Sequence, residues 1–302
     1  MPFRPRTSTP RLWQLTSQRA FSATSAVAVG ARVGSRGVPT FDWRRPYKNF
    51  PKPSVTLISD EAAANAYLES LTSKRLTFEG DTDAVARANR TRESGYSGGV
   101  MSIADGEGVM ILHFAPMKRV PEMLKTILAD STIEKQMFGA ASLLHQIVNK
   151  ESEFFDFCEP VNFLDLRLLA SSLYPRLERI GRGMPNFDFV TEFAKDGMGL
   201  RLEYLLRQEQ AYAVKKLSRE VLDERINCCW LSHCASFHLR SRLESKIQQT
   251  LGKKIASIMG ENERMAEPGE EDKKLLTAML MRKSLDSFRV HASDVRGVPS
   301  GR

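Results

Sequence analysis

The sequence predicts an α/β protein in which helices flank a mixed β-sheet, followed by a half that is mainly helical. Short apolar runs rich in β-branched residues come first, and turn residues separate them. From Val120 onward, apolar residues return every three or four positions, which is the spacing of an amphipathic helix. From about Asn186 to Ile258 the helical spacing dominates. This order of patterns is typical of a sheet with strands of mixed direction and helices on its faces.

Four strands and one helix are predicted before Val120. The strands are "SVTLI" (54–58), "RLTFEGD" (75–81), "GGVMSIAD" (98–105) and "GVMILHF" (108–114). The helix is "SDEAAANAYLESL" (59–71), which Ser59 is expected to cap and which has acids in its first turn.

Strands and helices then alternate. The predicted helices are "VPEMLKTILAD" (120–130, with Pro121 in its first turn), "SLLHQIVNK" (142–150) and "LRLLASSL" (166–173, ending before Pro175), and the predicted strands are "TIEKQMFGA" (132–140) and "EPVNFLDL" (159–166). The helical half is expected to break near Gly197 and Gly199 and around Ser218. A last helix, "EEDKKLLTAMLMRKSL" (270–285), follows an acidic spacer, and the final dozen residues are expected to fray.

Composition excludes several classes of protein. With 302 residues and 42% hydrophobic residues, the chain can bury a core without disulfides. Three of the four cysteines are bunched, as Cys228, Cys229 and Cys234, which does not resemble a disulfide framework and favours a reducing compartment. No run approaches the roughly 18 apolar residues of a membrane-spanning helix, so we expect no transmembrane segment.

The net charge of +8 comes mostly from the N-terminal segment. Residues 1–40 contain six arginines, no lysine and no acid, and are rich in Ser, Thr and Ala. This composition is typical of a mitochondrial presequence, and "QRAFSATS" resembles a presequence cleavage context; a basic tail that binds anionic surfaces is the alternative. Removal of the segment lowers the net charge to +2, so the rest of the chain has little general attraction for phosphate.

These patterns divide the chain into four parts. Residues 1–40 are the predicted presequence, which directs the protein to the mitochondrial matrix, and 41–53, "FDWRRPYKNFPKP", form an extended connector. The domain spans 54–258, and 259–302 hold the acidic spacer, the terminal helix and a flexible tail.

Several segments resemble the ribonuclease-H-like 3'-5' exonucleases of the DEDD superfamily, which includes the Werner-type and RNase D domains. "KKLSREVLDERINCCWLSHCASFHLRSRLESKI" (215–247) is similar to the last catalytic segment of that family, in which Leu-Ser opens a helix. "FLDLRLLASSL" (163–173), "GMGLRLEYLLRQ" (197–208) and "VTLISDEAAANAYLESL" followed by "RLTFEGD" also match the family pattern. The resemblance spans about residues 54–248 and implies a ribonuclease-H-like fold, but no single invariant motif carries it.

The resemblance implies a site in which four carboxylates hold two divalent cations, often with a tyrosine that positions the attacking water. The first two carboxylates come from an Asp-x-Glu on a strand. Here Glu79 and Asp81 stand at that spacing with the two residue types exchanged, and Asp83 follows. Side chains two residues apart on a strand share a face, so the pair is compatible with residual binding of one Mg²⁺ or Mn²⁺. Acids that solvate a strand end are the alternative.

The other ligands expected from the family are missing. The position of the third carboxylate falls at about Leu143, and there is no acid between Lys135 and Val148. The tyrosine and the fourth carboxylate fall at about Cys228 and Ser232. We therefore expect an exonuclease fold whose two-metal mechanism is impaired and which requires no cofactor.

The late helix contains two further patterns. Cys229 with His233, and Cys234 with His238, are spaced four residues apart, which places each pair on one helical face. We expect buried thiols and histidines at a helix edge rather than zinc ligands or a nucleophile, because no Cys-x-x-Cys and no orienting third group accompany them. The basic residues Arg240, Arg242 and Lys246 are candidates for nucleic-acid binding, with a solvated helix face as the alternative.

Three functions remain open from the sequence. The first is a nucleic-acid-binding or scaffold protein of mitochondrial DNA or RNA metabolism that does not cleave. The second is a weak metal-dependent 3'-5' exonuclease that uses Glu79 and Asp81. The third is a structural subunit of a mitochondrial assembly. Its C-terminal helix would then bind the protein partners.

Overall fold

The structure is a computed structural model of the chain. It describes residues 50–80, 100–114, 116–117, 120–148, 159–181, 184–200, 219–261 and 268–296. The predicted presequence, most of the connector, Asp81 and Asp83 lie outside these residues.

Seven strands form one mixed sheet in the part of the chain that the structure describes. They are β1 (Ser54–Ile58), β2 (Arg75–Gly80), β3 (Val100–Ala104), β4 (Gly108–His113), β5 (Glu134–Met137), β6 (Phe163–Asp165) and β7 (Arg289–Val290). Their order across the sheet is β1-β4-β3-β2-β5-β6-β7. β3 is antiparallel to both β2 and β4, β5 is parallel to β2 and to β6, and β1 is parallel to β4. β7 closes the sheet antiparallel to β6.

Helices cover both faces of the sheet. They are α1 (Glu61–Glu69), α2 (Glu122–Ala129), α3 (Ala140–Val148), α4 (Leu166–Leu173), α5 (Pro175–Gly181), α6 (Asn186–Asp196), α7 (Arg219–Glu261), α8 (Glu270–Asp286) and α9 (Ala292–Val295). The predicted architecture is confirmed: this is an α/β protein with a mixed sheet flanked by helices and a helix-rich C-terminal half. Among the described residues, no helix combines the length and the apolar composition that crossing a membrane requires.

The alternation of side chains along the strands produces two apolar cores, one on each face of the sheet. On β2, Leu76 and Phe78 belong to the core that α1, α2, α3 and α9 cover. The core on the opposite face packs under α4, α6 and α7 and is built around Trp230. Thr77 and Glu79, the alternate residues of β2, therefore lie on the face that α7 covers.

The end of the predicted connector is part of the domain. Phe50 is buried in the core on the α7 face. The carbonyl oxygen of Pro51 accepts a hydrogen bond from Trp230 Nε1 at 2.8 Å. Trp230 needs such a partner because its buried indole N–H would otherwise be unsatisfied.

Two predicted helices begin differently from the prediction, and one short helix was not predicted. Asp60, not Ser59, caps α1, since its Oδ1 accepts the N–H of Ala63 at 2.9 Å. Pro121 precedes α2 rather than lying in its first turn. Pro175 ends the helical spacing of α4 as expected, but it also begins α5, a short helix that was not predicted. Proline is well suited to a first helical position because that residue has no intrahelical acceptor for its N–H.

The prediction that the final dozen residues fray is wrong for residues 291–296. After α8 the chain joins the sheet as β7, and α9 follows. His291 and Asp294 form a reciprocal capping interaction at the start of α9, with the His291 N–H donating to Asp294 Oδ2 at 2.8 Å. Val290 and Val295 are buried in the core below α3. Apolar burial and a cap therefore hold this segment in place.

The helix α7 spans 43 residues, which corresponds to a length of about 65 Å. Its first part packs on β2, β3 and β4. Leu243 is the last buried residue of the helix among those whose side chains are described. Beyond Leu243 the helix is mostly exposed, and α8 packs against it.

Candidate functional site

The candidate site lies where β2 passes under α7. Three side chains of β2 point toward the helix, and each meets a residue of α7. The Arg75 guanidinium lies over the ring of Phe237, at 5.8 Å from its centroid. Thr77 Oγ1 lies 2.9 Å from His233 Nδ1. Glu79 meets Cys228. The strand and the helix therefore run side by side through the region where the resemblance predicts the catalytic carboxylates.

Glu79, the described member of the predicted metal-binding pair, is only 5% exposed. The thiol of Cys228 is buried beside it and hydrogen-bonds to its carboxylate. Burial, followed by the negative charge of Glu79, raises the pKa of Cys228 well above its usual range. A neutral thiol, which is a poor ligand for a hard cation, therefore faces this carboxylate.

The positions that the resemblance implies for the third and fourth carboxylates hold residues without charge. Leu143 is 1% exposed and packs in the apolar core on the opposite face of the sheet from α7. Ser232 is buried in α7, one helical turn after Cys228. Asp81, the second member of the predicted pair, lies outside the described residues, as does Asp83.

The described residues at these positions, Glu79, Leu143, Cys228 and Ser232, do not fit a pair of divalent cations. Hard cations of this kind need several carboxylate oxygens around a shared site. Within the described parts of the chain, no three His, Cys, Asp or Glu side chains are grouped so that they could hold a metal ion. What the arrangement around Glu79 provides is a carboxylate packed into a helix–sheet interface.

Next to this carboxylate, a buried polar network joins β2, β5 and α7. Gln136 Nε2 donates to Thr77 Oγ1 and to Ser236 Oγ, both at 2.8 Å. Ser236 Oγ donates to the carbonyl oxygen of His233 at 2.8 Å. The thiol of Cys229 donates to the carbonyl oxygen of Thr77 at 3.6 Å. The network positions α7 on the sheet, because a buried polar side chain is stable only where its partners are in place.

The network also holds His233 in place. The Thr77 hydroxyl accepts a hydrogen bond from Gln136 and forms a second one with His233 Nδ1. Burial, and to a lesser extent the charge of Arg75, lowers the pKa of His233 from 6.5 to about 3. The histidine predicted at a helix edge is thus a neutral core residue, 1% exposed.

This burial predicts loss of stability in mild acid. The unfolded chain protonates this imidazole near pH 6.5 while the folded chain does not, so unfolding takes up a proton between about pH 6.5 and 3. We expect the free energy of unfolding to fall by about 2 kcal/mol between pH 7 and pH 5 from this residue alone. The pKa of His238 is also lowered, by burial first, and acts in the same direction.

Urea unfolding at the two pH values measures this effect. His233→Gln should remove most of the difference, whereas His291→Asn, which replaces an exposed histidine, should leave it unchanged. An equal pH dependence in the wild type and in His233→Gln would show that His233 is not the titrating group.

The two Cys/His pairs of the sequence have separate environments. Cys229 and His233 both contact Thr77. His238 Nε2 lies 2.8 Å from the hydroxyl of Tyr174, and the two rings stack. Cys228, Cys229 and Cys234 are buried as free thiols, and burial raises the pKa of each. Since a low pKa is what activates a cysteine nucleophile, these thiols have the character of core residues.

The structure separates the three basic residues proposed to bind nucleic acid. Arg242 and Lys246 are exposed and lie one turn apart on α7. Arg240 lies on another side of the helix, where its guanidinium is largely buried and forms an ion pair with Glu134. Two exposed cations therefore remain available to a phosphate backbone at this place.

Glu134 is the centre of a larger ionic cluster. Its carboxylate also meets the Arg75 Nε and the Arg289 Nη2, each at 3.4 Å. The cluster has one member on each of β2, β5, β7 and α7. It therefore joins the long helix α7 to three strands of the sheet. Beside it is a cavity of about 360 Å³ at the start of β2, lined by Ser73, Lys74, Arg75, Asp105, Glu134, His233 and Phe237.

Asp165 is a structural residue that sequence reasoning missed. It ends β6 and caps α4, accepting the N–H groups of Arg167 and Leu168. It also accepts the N–H groups of Gly139 and Ala140 at the start of α3. Burial raises the pKa of Asp165 although the four N–H donors oppose that change. Its place between an apolar strand and a helical pattern was the available signal for a cap.

No protein-family model matches the chain, and no curated protein is similar to it in sequence. Solved structures do match. NrnC from Brucella melitensis is 13% identical, with a TM-score of 0.45, and the match covers 82% of this chain and 95% of NrnC. RNase D from Trypanosoma brucei is 12% identical, with a TM-score of 0.44, and the match covers 63% of this chain and 65% of RNase D.

The catalytic core of RRP6, also from Trypanosoma brucei, is 14% identical, with a TM-score of 0.44. That match covers 64% of this chain and 48% of the RRP6 core, so the chain spans about half of that protein's length. Further structures in the set are NrnC bound to pGG, NrnC with bound Mg²⁺, and RNase D in complex with RNA U12. RNase D is among the proteins that the sequence resemblance named. The roles of residues in this chain rest on its own contacts.

Proposed function

We propose that the chain is a mitochondrial protein that keeps the fold of the 3'-5' exonucleases without their two-metal chemistry, and that it acts by binding, as a nucleic-acid-binding or scaffold protein of mitochondrial DNA or RNA metabolism. The observation that carries the proposal is the pairing of Glu79 with Cys228. A buried, protonated thiol hydrogen-bonds to this carboxylate, and the aligned position on α3 is the core residue Leu143. Neither side chain replaces a carboxylate at a hard-metal site.

Two features support a binding role. The exposed Arg242 and Lys246 lie on one side of α7 and can contact phosphates without base specificity. The helix α8 exposes apolar side chains on its outer face, which favours a protein partner. Both features lie away from Glu79, so binding does not depend on the altered site.

Binding and cleavage of single-stranded nucleic acid, measured in the same samples, test the proposal. The protein is mixed with 5'-labelled single-stranded DNA or RNA and with Mg²⁺ or Mn²⁺, and native and denaturing gels are run on the same samples. We expect strands of unchanged length that are retained at low salt and released as salt rises. Arg242→Ala/Lys246→Ala should weaken retention severalfold, whereas Lys273→Ala/Lys274→Ala on α8 should not. Absence of retention at low salt would contradict the nucleic-acid role and leave the scaffold role.

A second candidate function, a weak 3'-5' exonuclease, is favoured by the place of Glu79. Glu79 is the fifth residue of β2, and Asp81 follows it by two residues, at the spacing of a carboxylate pair. In the same assay this candidate predicts metal-dependent shortening from the 3' end that Asp81→Ala abolishes. Such a result would overturn the proposal of a non-cleaving protein.

The mitochondrial location is supported by the composition of residues 1–40, which carry six arginines and no acid. Fusion of these residues to a fluorescent protein should direct it to mitochondria. Replacement of Arg11 and Arg19 by glutamate should leave the fusion in the cytosol. Uniform cytosolic fluorescence of the unaltered fusion would contradict the assignment.

A further inference from the structure

The outer face of α8 is apolar although nothing described covers it. Leu275 is 64% exposed and Met279 is 61% exposed, with Leu276 beside them. The inner face holds Thr277 and Leu285, which are buried toward the core under α7. With about 100° of rotation per residue, Leu275 and Met279 lie on the opposite side of the helix from Thr277. The helix therefore has two apolar faces, and only the inner one has a partner among the described residues.

Charged residues flank this apolar stripe in a specific order. Asp272 precedes Leu275 on the same side of the helix, and Arg282 and Lys283 follow Met279. All three charged residues are exposed. The residues of this stripe recur at alternating steps of three and four positions, which is the spacing of a two-helix seam. They are Asp272, Leu275, Leu276, Met279, Arg282 and Lys283.

This pattern is complementary to itself. When two copies of α8 pack antiparallel about a two-fold axis between Thr277 and Ala278, Asp272 of one copy faces Lys283 of the other. In the same register Leu276 faces Met279. An isologous interface needs this kind of self-complementary surface, in which residue i meets j and j meets i. The acidic first turn of each helix then lies next to the basic last turn of its partner.

The position of α8 leaves room for such a contact. Beyond Leu243, α7 is mostly exposed, and α8 packs against it. The outer face of α8 points away from α7, and a second copy reaches it without disturbing either core. No residue of the site around Glu79 takes part, so the contact does not depend on that site; it names the occupant of the outer α8 face on which the proposed scaffold role rests.

We propose that the outer face of α8 is a self-association surface on which a second copy of this chain docks, with the two α8 helices antiparallel. A seam formed mainly by one helix from each copy buries less surface than a permanent dimer, so the association is expected to be reversible, with a dissociation constant on the order of micromolar.

Sedimentation velocity of the full-length chain over a range of concentrations tests the proposal. We expect a monomer–dimer equilibrium that Met279→Glu weakens at least tenfold, since it places a carboxylate in the apolar seam. Circular dichroism and thermal unfolding of this variant should match the wild type, because the side chain is largely exposed. Leu168→Glu, on the exposed surface of α4, should leave the equilibrium unchanged.

A charge exchange tests the antiparallel register. Asp272→Lys and Lys283→Glu should each weaken the dimer, because like charges then face each other across the axis. A mixture of the two single variants, or the double variant alone, should restore association, since each new charge again meets its opposite. A monomer at all concentrations, a dimer insensitive to Met279→Glu, or single variants that weaken the dimer but fail to associate when mixed would each overturn the proposal.

Discussion

Replacement of Glu134 by alanine is expected to lower the free energy of unfolding by about 3 kcal/mol, measured by urea unfolding at neutral pH. Glu134 is the acid that the guanidinium groups of Arg75, Arg240 and Arg289 share. Arg240 is largely buried, and both burial and the nearby charge of Arg75 lower its pKa. Without Glu134, Arg240 stays buried beside two further cations. The cost is therefore that of an uncompensated charge rather than of one surface ion pair.

Two controls isolate this cause. Glu122→Ala removes an exposed acid that pairs with Lys125 at 2.9 Å, and it should cost no more than about 0.5 kcal/mol. Glu134→Ala/Arg240→Met should be more stable than Glu134→Ala alone, because the buried charge is removed as well. Equal costs for Glu134→Ala and Glu122→Ala would contradict the ionic cluster as a stabilising element.

Asp165→Ala is expected to cost about 3 kcal/mol of unfolding free energy, because four backbone N–H groups lose a charged acceptor. Two of these groups begin α4, and two begin α3. The side chain is buried, so water replaces the lost acceptor poorly. The two helices lie after neighbouring parallel strands, and the loss should loosen both.

Asp60→Ala is the matched control, since Asp60 caps α1 with one side-chain hydrogen bond in an exposed position. It should cost about 1 kcal/mol. Hydrogen exchange should show faster exchange at the starts of both α3 and α4 in Asp165→Ala, and only at the start of α1 in Asp60→Ala. Protection that is unchanged at α3 would show that Asp165 acts as an ordinary cap.

Strands and helices could be predicted from the sequence because apolar residues recur at different spacings in the two. "SVTLI" and "GVMILHF" are short, rich in apolar residues and bounded by turn signals, and both are strands as predicted. The order of the strands in the sheet could not be predicted from the sequence, since it depends on contacts between distant segments. β7 shows this limit most clearly: Arg289 and Val290 form a strand only because β6 presents a free edge to them.

Burial of polar residues was the other limit. Arg240 and Arg242 look alike in the sequence, but the helix places them on different sides, and only Arg240 meets Glu134. The sequence did not show that Gln136 and His233 are buried, because a buried polar side chain is recognised by its partners rather than by its type. For the candidate site, the sequence identified Glu79 and its spacing to Asp81, whereas the burial of Glu79 against Cys228 required the packing of α7 on β2.

Our main conclusion is that the interface between β2 and α7 holds a carboxylate and a thiol at the place where the sequence resemblance implies two divalent cations. Titration of the full-length protein with Mn²⁺, followed by the electron paramagnetic resonance signal of the free ion, tests it most directly. We expect the protein to take up fewer than two Mn²⁺ per chain from solution at submillimolar concentrations, and Glu79→Ala to give the same titration as the wild type. Binding of two Mn²⁺ per chain that Glu79→Ala abolishes would contradict it.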